Sequence, residues 1–504
     1  MEQNKGKASR IQVETMDKTF PLEVTAEFVL PDYYSEISRL LWVRPTFLPP
    51  ERFMGGGKAE FSGRVIYEVL YTGPDGALYG TSPEEGYAFS IPLEGFADME
   101  GAQVFAAPVI DAVISRVTGP RKLSVRCRLH ARGYGYAEKE TEPRFTGIDE
   151  QAQLCRLGDT VCAGRVIGEG REEAELSDCI KTAENVRLIC ARGSVFLPEA
   201  VAASDEVRCR GELLLTLLLC REGEEDAVPF TLTQRIPFEK AIPLEGVCPH
   251  HHVCATGTVG KIDATVQEGE IAVCAQLALC AMAQCEEETV ICRDVFLPGA
   301  DAECRFTRQA VWQDGGCCNR NFSISAQSPL GDLGFGEDCE ILDCVAEAEI
   351  AEKCQDGARF SLSGKLQCHL LCHRAGELCA QDAALPFRLF LESGGEKMDV
   401  DCRVASCRAT ISAGKLRADA ELQLALRDER HTAVEMLREA SFTPRESTPR
   451  AAIELYYPAP GERLWDVAKR YGIPPQVLGD ANALDADAPA ADDSLGGKKF
   501  LIIP

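Results

Sequence analysis

Gly211-Glu212-Leu213-Leu214-Leu215-Thr216-Leu217-Leu218-Leu219-Cys220 is the stretch on which the fold class turns. After the glycine, Leu213, Leu215, Leu217 and Leu219 form one apolar row at every second position, the period of a half-buried β-strand. The same run from Leu213 to Cys220 is the longest apolar one in the sequence, far short of the ~20 residues a spanning helix needs. Upstream, Gly63 is followed by Val65, Tyr67, Val69 and Tyr71 at the same offsets; downstream, Gly364 is followed by Leu366, Cys368, Leu370 and Cys372. The residue directly after each glycine is charged: Arg64, Glu212 and Lys365.

Three further landmarks keep the same step of about 150 residues, the signature of an internal repeat. Ile91-Pro92-Leu93-Glu94-Gly95 returns letter for letter as Ile242-Pro243-Leu244-Glu245-Gly246, and a looser third copy reads Leu385-Pro386-Phe387 through Glu392-Ser393-Gly394. A second alternating row runs through Leu123, Val125, Cys127 and Leu129, then Ile271, Val273, Ala275 and Leu277, then Leu416, Ala418, Ala420 and Leu422. Phe47-Leu48-Pro49-Pro50 pairs with Phe196-Leu197-Pro198-Glu199. Gly/Asp/Pro turns such as Thr72-Gly73-Pro74-Asp75-Gly76 separate the strands. The expected fold is therefore mainly β: three tandem antiparallel, sandwich-like repeats of about 150 residues, and a small terminal module. The boundaries read as a frayed N-terminus over 1–19, repeats over 20–142, 143–292 and 293–441, a linker over 442–452 and the module over 453–504. Helices are few; Tyr34 to Val43 is read as one short turn or two.

The terminal module is patterned differently. A short apolar strand, Ile453-Glu454-Leu455-Tyr456-Tyr457, leads to Pro460-Gly461-Glu462-Arg463-Leu464-Trp465, and Leu464, Val467, Ala468 and Tyr471 form one helical stripe. Gly472 falls where a left-handed cap belongs, Pro474-Pro475 suits the first turn of a second helix, and Phe500-Leu501-Ile502-Ile503-Pro504 supplies a closing strand. The order is β-α-α-β, with Trp465 expected in the module's own core. This stretch resembles a LysM module, in which Pro-Gly-Asp-Thr-Leu-Trp, a helix ending in Tyr-Gly-Ile/Val, an Asn-rich second helix and a final Ile-Pro occur in that order. Glu462-Arg463 replaces the usual Asp-Thr, and an Ala/Asp-rich insert from Asp485 to Ser494 lengthens the loop before the last strand. In that family the two loops form the groove for N-acetylglucosamine polymers. The resemblance places the groove here on Gly461, Glu462, Arg463 and Leu464, facing Asn482 and Leu484.

The three repeats resemble the SPOCS domain of spore-coat and spore-morphogenesis proteins from clostridial and related spore formers, a domain often followed by a C-terminal LysM. That likeness implies a mother-cell protein on the forespore surface whose LysM docks on the basement-layer morphogenetic ATPase of the coat. The alternative is binding of peptidoglycan through the same module. Self-association of the repeats stays open.

Composition narrows the choices further. With 53 basic against 79 acidic residues, the net charge of −26 repels phosphate backbones and anionic lipid, so nucleic acid is excluded as a partner. The N-terminus shows no apolar signal region, which leads to an expectation of a cytoplasmic protein without a transmembrane segment. All 24 cysteines lie between Cys127 and Cys407, and in a reducing compartment most are expected to be free thiols packing as small hydrophobes.

The cysteines and histidines also raise the question of metal. Cys368-His369-Leu370-Leu371-Cys372-His373 has metal-binding residue types, yet the repeat aligns Cys368 and Cys372 with core positions held by Tyr67 and Tyr71 or Leu215 and Leu219. Cys248-Pro249-His250-His251-His252-Val253-Cys254 is a better ligand set but lacks a second pair at finger spacing. Cys317-Cys318 reads as a surface thiol pair in a Gly-rich turn. No phosphate loop, nucleophile elbow or zincin motif occurs, and the acidic run Glu222-Gly223-Glu224-Glu225-Asp226 reads as a solvated hairpin tip. The expectation is a non-enzyme with no catalytic residues, cofactor or metal; a cysteine-rich metal or redox protein is the third reading.

Overall fold

The computed structural model describes residues 10–93, 101–149, 152–182, 185–223, 228–267, 269–334, 336, 338–356, 359–392, 397–445, 453–459, 461–484, 495 and 499–504. Outside them fall the first nine residues, Glu94-Gly95, Glu224–Asp226, Ser393-Gly394, most of the expected linker, Pro460 and the 485–494 insert. Strand makes up 78% of the structure and helix 4%.

The first stretch consists of β1 (Arg10–Val29), β2 (Arg39–Phe47), β3 (Glu51–Gly55), β4 (Lys58–Thr72), β5 (Leu78–Thr81), β6 (Glu84–Pro92), β7 (Gln103–Gly119) and β8 (Lys122–Glu140). A short β9 (Arg144–Thr146) leads to β10 (Cys155–Lys181), β11 (Val186–Ala203), β12 (Glu206–Arg221), β13 (Phe230–Pro243), β14 (His252–Gln267) and β15 (Glu270–Phe296). Then come β16 (Ala300–Pro329), the one-turn α1 (Leu330–Leu333), β17 (Glu340–Asp356), β18 (Arg359–Arg374), β19 (Glu377–Glu392), β20 (Lys397–Ser412) and β21 (Lys415–Pro444). The chain closes with β22 (Glu454–Tyr456), α2 (Leu464–Tyr471), α3 (Pro475–Asn482) and β23 (Leu501–Ile503).

Six of the sheets come in pairs. The long-stranded sheets have the orders β1-β8-β7, β10-β15-β14 and β16-β21-β20; the shorter ones are β11-β12-β13, β17-β18-β19 and β2-β4-β3, with β5 and β6 also on β4. Pairing within them is antiparallel, and β9 runs parallel to β21. In each stretch the first strand pairs with the last, so the short sheet is closed off by the return of the chain.

The two alternating rows meet face to face inside each pair. Val65, Tyr67, Val69 and Tyr71 pack with Leu123, Val125, Cys127 and Leu129. The Leu213–Leu219 row packs with Ile271, Val273, Ala275 and Leu277, and the Leu366–Cys372 row with Leu416, Ala418, Ala420 and Leu422. Two pleated faces interdigitating in this way make a sandwich core. Each starting glycine has a steric reason: a Cβ on Gly63 would sit 2.8 Å from the Tyr87 ring, and on Gly211 or Gly364 3.1 Å from Phe238 or Phe387. An aromatic side chain on the neighbouring strand thus covers a position that admits no side chain.

Some expectations change. The central strands are not half-buried: Leu70, Leu218 and Leu371, on the reverse face, are fully buried and converge with Trp42, Leu78, Ile189 and Cys190. The three short sheets pack back to back there, so the reverse face is buried at these positions. Leu385-Pro386-Phe387 corresponds in register to Ile236-Pro237-Phe238, since Phe387 lies opposite Gly364 as Phe238 lies opposite Gly211. Residues Tyr34 to Val43 form a turn and then β2, with no helix. Cys317-Cys318 lies within β16 beside a register shift, and Cys317 is buried. β15 runs on through 292 to Phe296, and the expected linker opens as strand, with Phe442 buried.

Contacts among the three stretches go beyond apolar packing. Gln12 of β1 donates to the Val166 carbonyl and accepts from its N–H (3.3 and 2.7 Å), and Gln423 of β21 does the same with Leu197 (2.8 and 3.2 Å). The Asn319 amide bridges Leu197 and Ala255. At the centre, the Arg427 guanidinium lies 4.4 Å from the Tyr134 ring, donates to Asp399 (3.2 Å) and faces Glu429 (3.4 Å), while Arg132 links Asp399 to Asp17. Burial opposes the charge on Arg427, but the surrounding tyrosines, Asp399 and Glu429 outweigh it and raise its pKa.

Candidate functional site

The terminal strand-helix-helix-strand segment sits against β15. Leu464, Val467, Ala468 and Leu478 fill its interior with Leu501 and Ile503, and β22 pairs antiparallel with β23. Gly472 adopts φ 63° and closes α2 with bonds to the Ala468 and Lys469 carbonyls. Trp465 is buried in the same cluster, at its border with β15. Its ring meets Phe296 edge to face at 5.0 Å, and its indole N–H donates to Asp294 at 2.9 Å, where Lys469 also pairs at 2.7 Å. The tryptophan expected in the module's own core belongs to that core and also joins the module to the end of the second stretch.

Of the six residues expected to form a groove, Leu464 and Leu484 share the module's apolar cluster, and the polar atoms of Glu462, Arg463 and Asn482 bond within the module. Glu462 accepts from the Tyr456 hydroxyl (2.8 Å) and the Ala459 N–H (2.9 Å) and pairs with Arg470 (2.9 Å). Burial would raise its pKa, yet these partners together hold it below the usual carboxylate range. Arg463 donates to Asp466 through Nε and Nη2, both at 3.1 Å, and its backbone N–H donates to the same carboxylate at 3.2 Å, which fixes the start of α2. The Asn482 amide donates to the Leu478 and Ile502 carbonyls and accepts from the Ile502 N–H, which pins the closing strand. Leu464 is buried, Leu484 is half-buried and Gly461 is exposed at φ 82°. By contrast, the outer face of the β22/β23 pair is apolar and open: Leu455 and Tyr457 are 52% and 69% exposed, beside Phe500 and Ile502. The Tyr457 and Phe500 rings lie 6.4 Å apart.

A second site lies where the three stretches converge. A cavity of about 750 Å³ is lined by β2 and β4, by β11, β12, β13 and β14, and by β17, β20 and β21. Arg44 pairs with Glu68 (3.2 Å) and Glu347 (3.3 Å); Arg192 faces Glu68 (3.7 Å) and bonds Asp343. Desolvation works against the Arg192 charge, and Asp343 and Glu68 more than restore it. Each of these charges faces an opposite one, two arginines against three carboxylates, so the cluster ties the stretches together. Arg44 and Arg192 hold equivalent places in the repeat, each opposite the fifth residue after its starting glycine (Glu68 and Thr216), whereas the third stretch has Val345 there and contributes Asp343 and Glu347 instead.

All 24 cysteines are free thiols. Nine are buried and two, Cys179 and Cys354, are exposed; the rest are half-buried, fewer in the core than composition suggested. Cys368 and Cys372 occupy core positions of β18, and His369 projects to the other face, where it bonds Asp382 at 2.7 Å. In the Cys248–Cys254 loop, His251 Nδ1 accepts from the Cys248 N–H (3.1 Å) and His252 pairs with Asp314 (2.8 Å). Among the described residues no helix is long and apolar enough to cross a membrane. No protein-family profile, no curated protein and no solved structure matches this chain.

Proposed function

We propose that this protein is a non-enzymatic scaffold of spore-coat assembly: three tandem SPOCS-like repeats form its body, and its terminal LysM-like module docks on a coat morphogenetic protein at the forespore surface. The motif likenesses in the sequence support the family reading. The observation that favours a protein partner over a glycan is the outer face of the terminal sheet, where Leu455, Tyr457, Phe500 and Ile502 lie open. A contiguous exposed apolar patch favours a protein contact. Groove atoms that would have to meet sugar hydroxyls are spent instead within the module, on Tyr456, Arg470, Asp466 and Ile502.

The body suits a scaffold because its stretches are held in fixed relation by buried contacts, so several weak lateral contacts could act together at high effective concentration. The test uses the full chain with purified peptidoglycan and, separately, with the purified basement-layer ATPase of the coat. The expected result is no pelleting with glycan, and ATPase binding that falls at least tenfold in Tyr457→Asp. Pelleting with peptidoglycan that chitin oligomers compete away would replace this reading with the glycan one.

A further inference from the structure

The structure assigns a thiophilic metal site to Cys344, Cys368 and Cys407, with zinc as the ion it fits. Cys344 is on β17 and Cys368 on β18, diagonal neighbours across one ladder, because Cys344 lies opposite Leu370 and Cys368 opposite Ala346. Cys407 reaches them from β20, in the facing sheet of the same sandwich. The three sulfur atoms lie within 4.8 Å of one another, and Cys344 and Cys407 are 3.6 Å apart. A tetrahedral ion with metal–sulfur bonds of about 2.3 Å needs sulfur–sulfur edges of about 3.8 Å, so this trio needs only a small closure.

The chemistry of the donors selects the ion. Three sulfur atoms with no carboxylate among them favour a soft or borderline cation over magnesium or calcium. Cys344 and Cys407 also line the central cavity, so three protein ligands close one side and the fourth position opens toward the cavity. That is the arrangement of a site able to take an exogenous ligand, in contrast to a closed four-ligand structural site. Binding displaces the thiol protons to solvent and ties the two sheets of the third sandwich together. His369 is not the fourth ligand, because its ring is on the opposite face with Asp382.

Another cluster with metal-ligand residue types, Glu14, Glu429 and His431, is less suitable. Arg427 lies 3.4 Å from Glu429 and places a fixed positive charge where a cation would go. Among the described residues, no arginine or lysine bears on the cysteine trio in this way.

The experiment is titration of the reduced, metal-free full chain with zinc against a competing chelator, and with Co²⁺ as a spectroscopic probe. One ion per chain is expected, with a thiolate-to-cobalt charge-transfer band. Cys407→Ser and Cys344→Ser, which change cavity-lining residues and spare the buried Cys368, should each weaken zinc binding at least tenfold and diminish the band. The double variant Cys248→Ser/Cys254→Ser, which removes the loop singled out by sequence, should leave both unchanged. Absence of a stoichiometric ion, or binding that survives in Cys407→Ser and disappears in the loop variant, overturns the assignment.

Discussion

Replacing Arg427 by methionine tests whether the three stretches stand or fall together. The side chain is 6% exposed; it donates to Asp399 at 3.2 Å, faces Glu429 at 3.4 Å and covers Tyr134 at 4.4 Å. Methionine keeps most of the volume and the ring contact but takes the guanidinium from the buried Glu429 and the half-buried Asp399. Removing one partner of a buried ion pair costs about 3–5 kcal/mol, and the lost cation–π contact adds about 1 kcal/mol. Asp399 keeps Arg132, which places the expected loss near the lower end, about 3 kcal/mol. The readout is the denaturation midpoint at pH 7, together with limited proteolysis, since the site joins β8, β20 and β21 beside Met282 of β15. Adding Glu429→Gln should recover part of the loss, because it neutralises the buried carboxylate charge that the guanidinium had balanced. A loss below about 1 kcal/mol, with an unchanged cleavage pattern and strict additivity in the double variant, would refute the reasoning.

Three further outcomes follow from the same geometry. Gly211→Ala would place a Cβ 2.5 Å from the Phe196 carbonyl and should lower stability by about 1–3 kcal/mol, whereas Gly86→Ala, whose nearest neighbour is 4.0 Å away, should be close to neutral by the same denaturation assay. Burial alone would raise the Asp399 pKa, but Arg427, Arg132 and Lys353 outweigh it and hold it below its ordinary value of 3.8. Its contribution is therefore complete above about pH 4 and lost as pH falls through the folded value, so Asp399→Asn should be destabilising at pH 7 and its deficit should shrink below pH 4. Asp294→Ala removes the acceptor shared by Trp465 and Lys469 and should speed amide exchange across Leu464–Tyr471 while leaving Leu213–Leu219 protected; equal protection of the helix in both proteins would count against the docking contact.

What the sequence determined by itself is local. Period-two rows after Gly63, Gly211 and Gly364 are enough to specify strands, because side-chain direction alternates with every residue and any other register would expose four apolar groups. The turn glycine Gly472 and the helical stripe of Leu464, Val467 and Ala468 were legible for the same reason: each depends on neighbours within a few positions. Pairing the first strand of each stretch with its last, the burial of the reverse face at Leu70, Leu218 and Leu371, and the approach of Trp465 to Asp294 were decided only by the tertiary structure. The candidate sites divide in the same way. Groove positions such as Glu462 and Asn482 could be located from motif order, but that their polar atoms are occupied within the module depends on partners such as Ile502, on the far side of the insert. Cys344, Cys368 and Cys407 carry no spacing signal, because they come together across two strands of one sheet and one strand of another. Sequence periodicity reports which way a side chain points; which distant side chain it meets is set by how sheets stack, and that is a property of the whole chain.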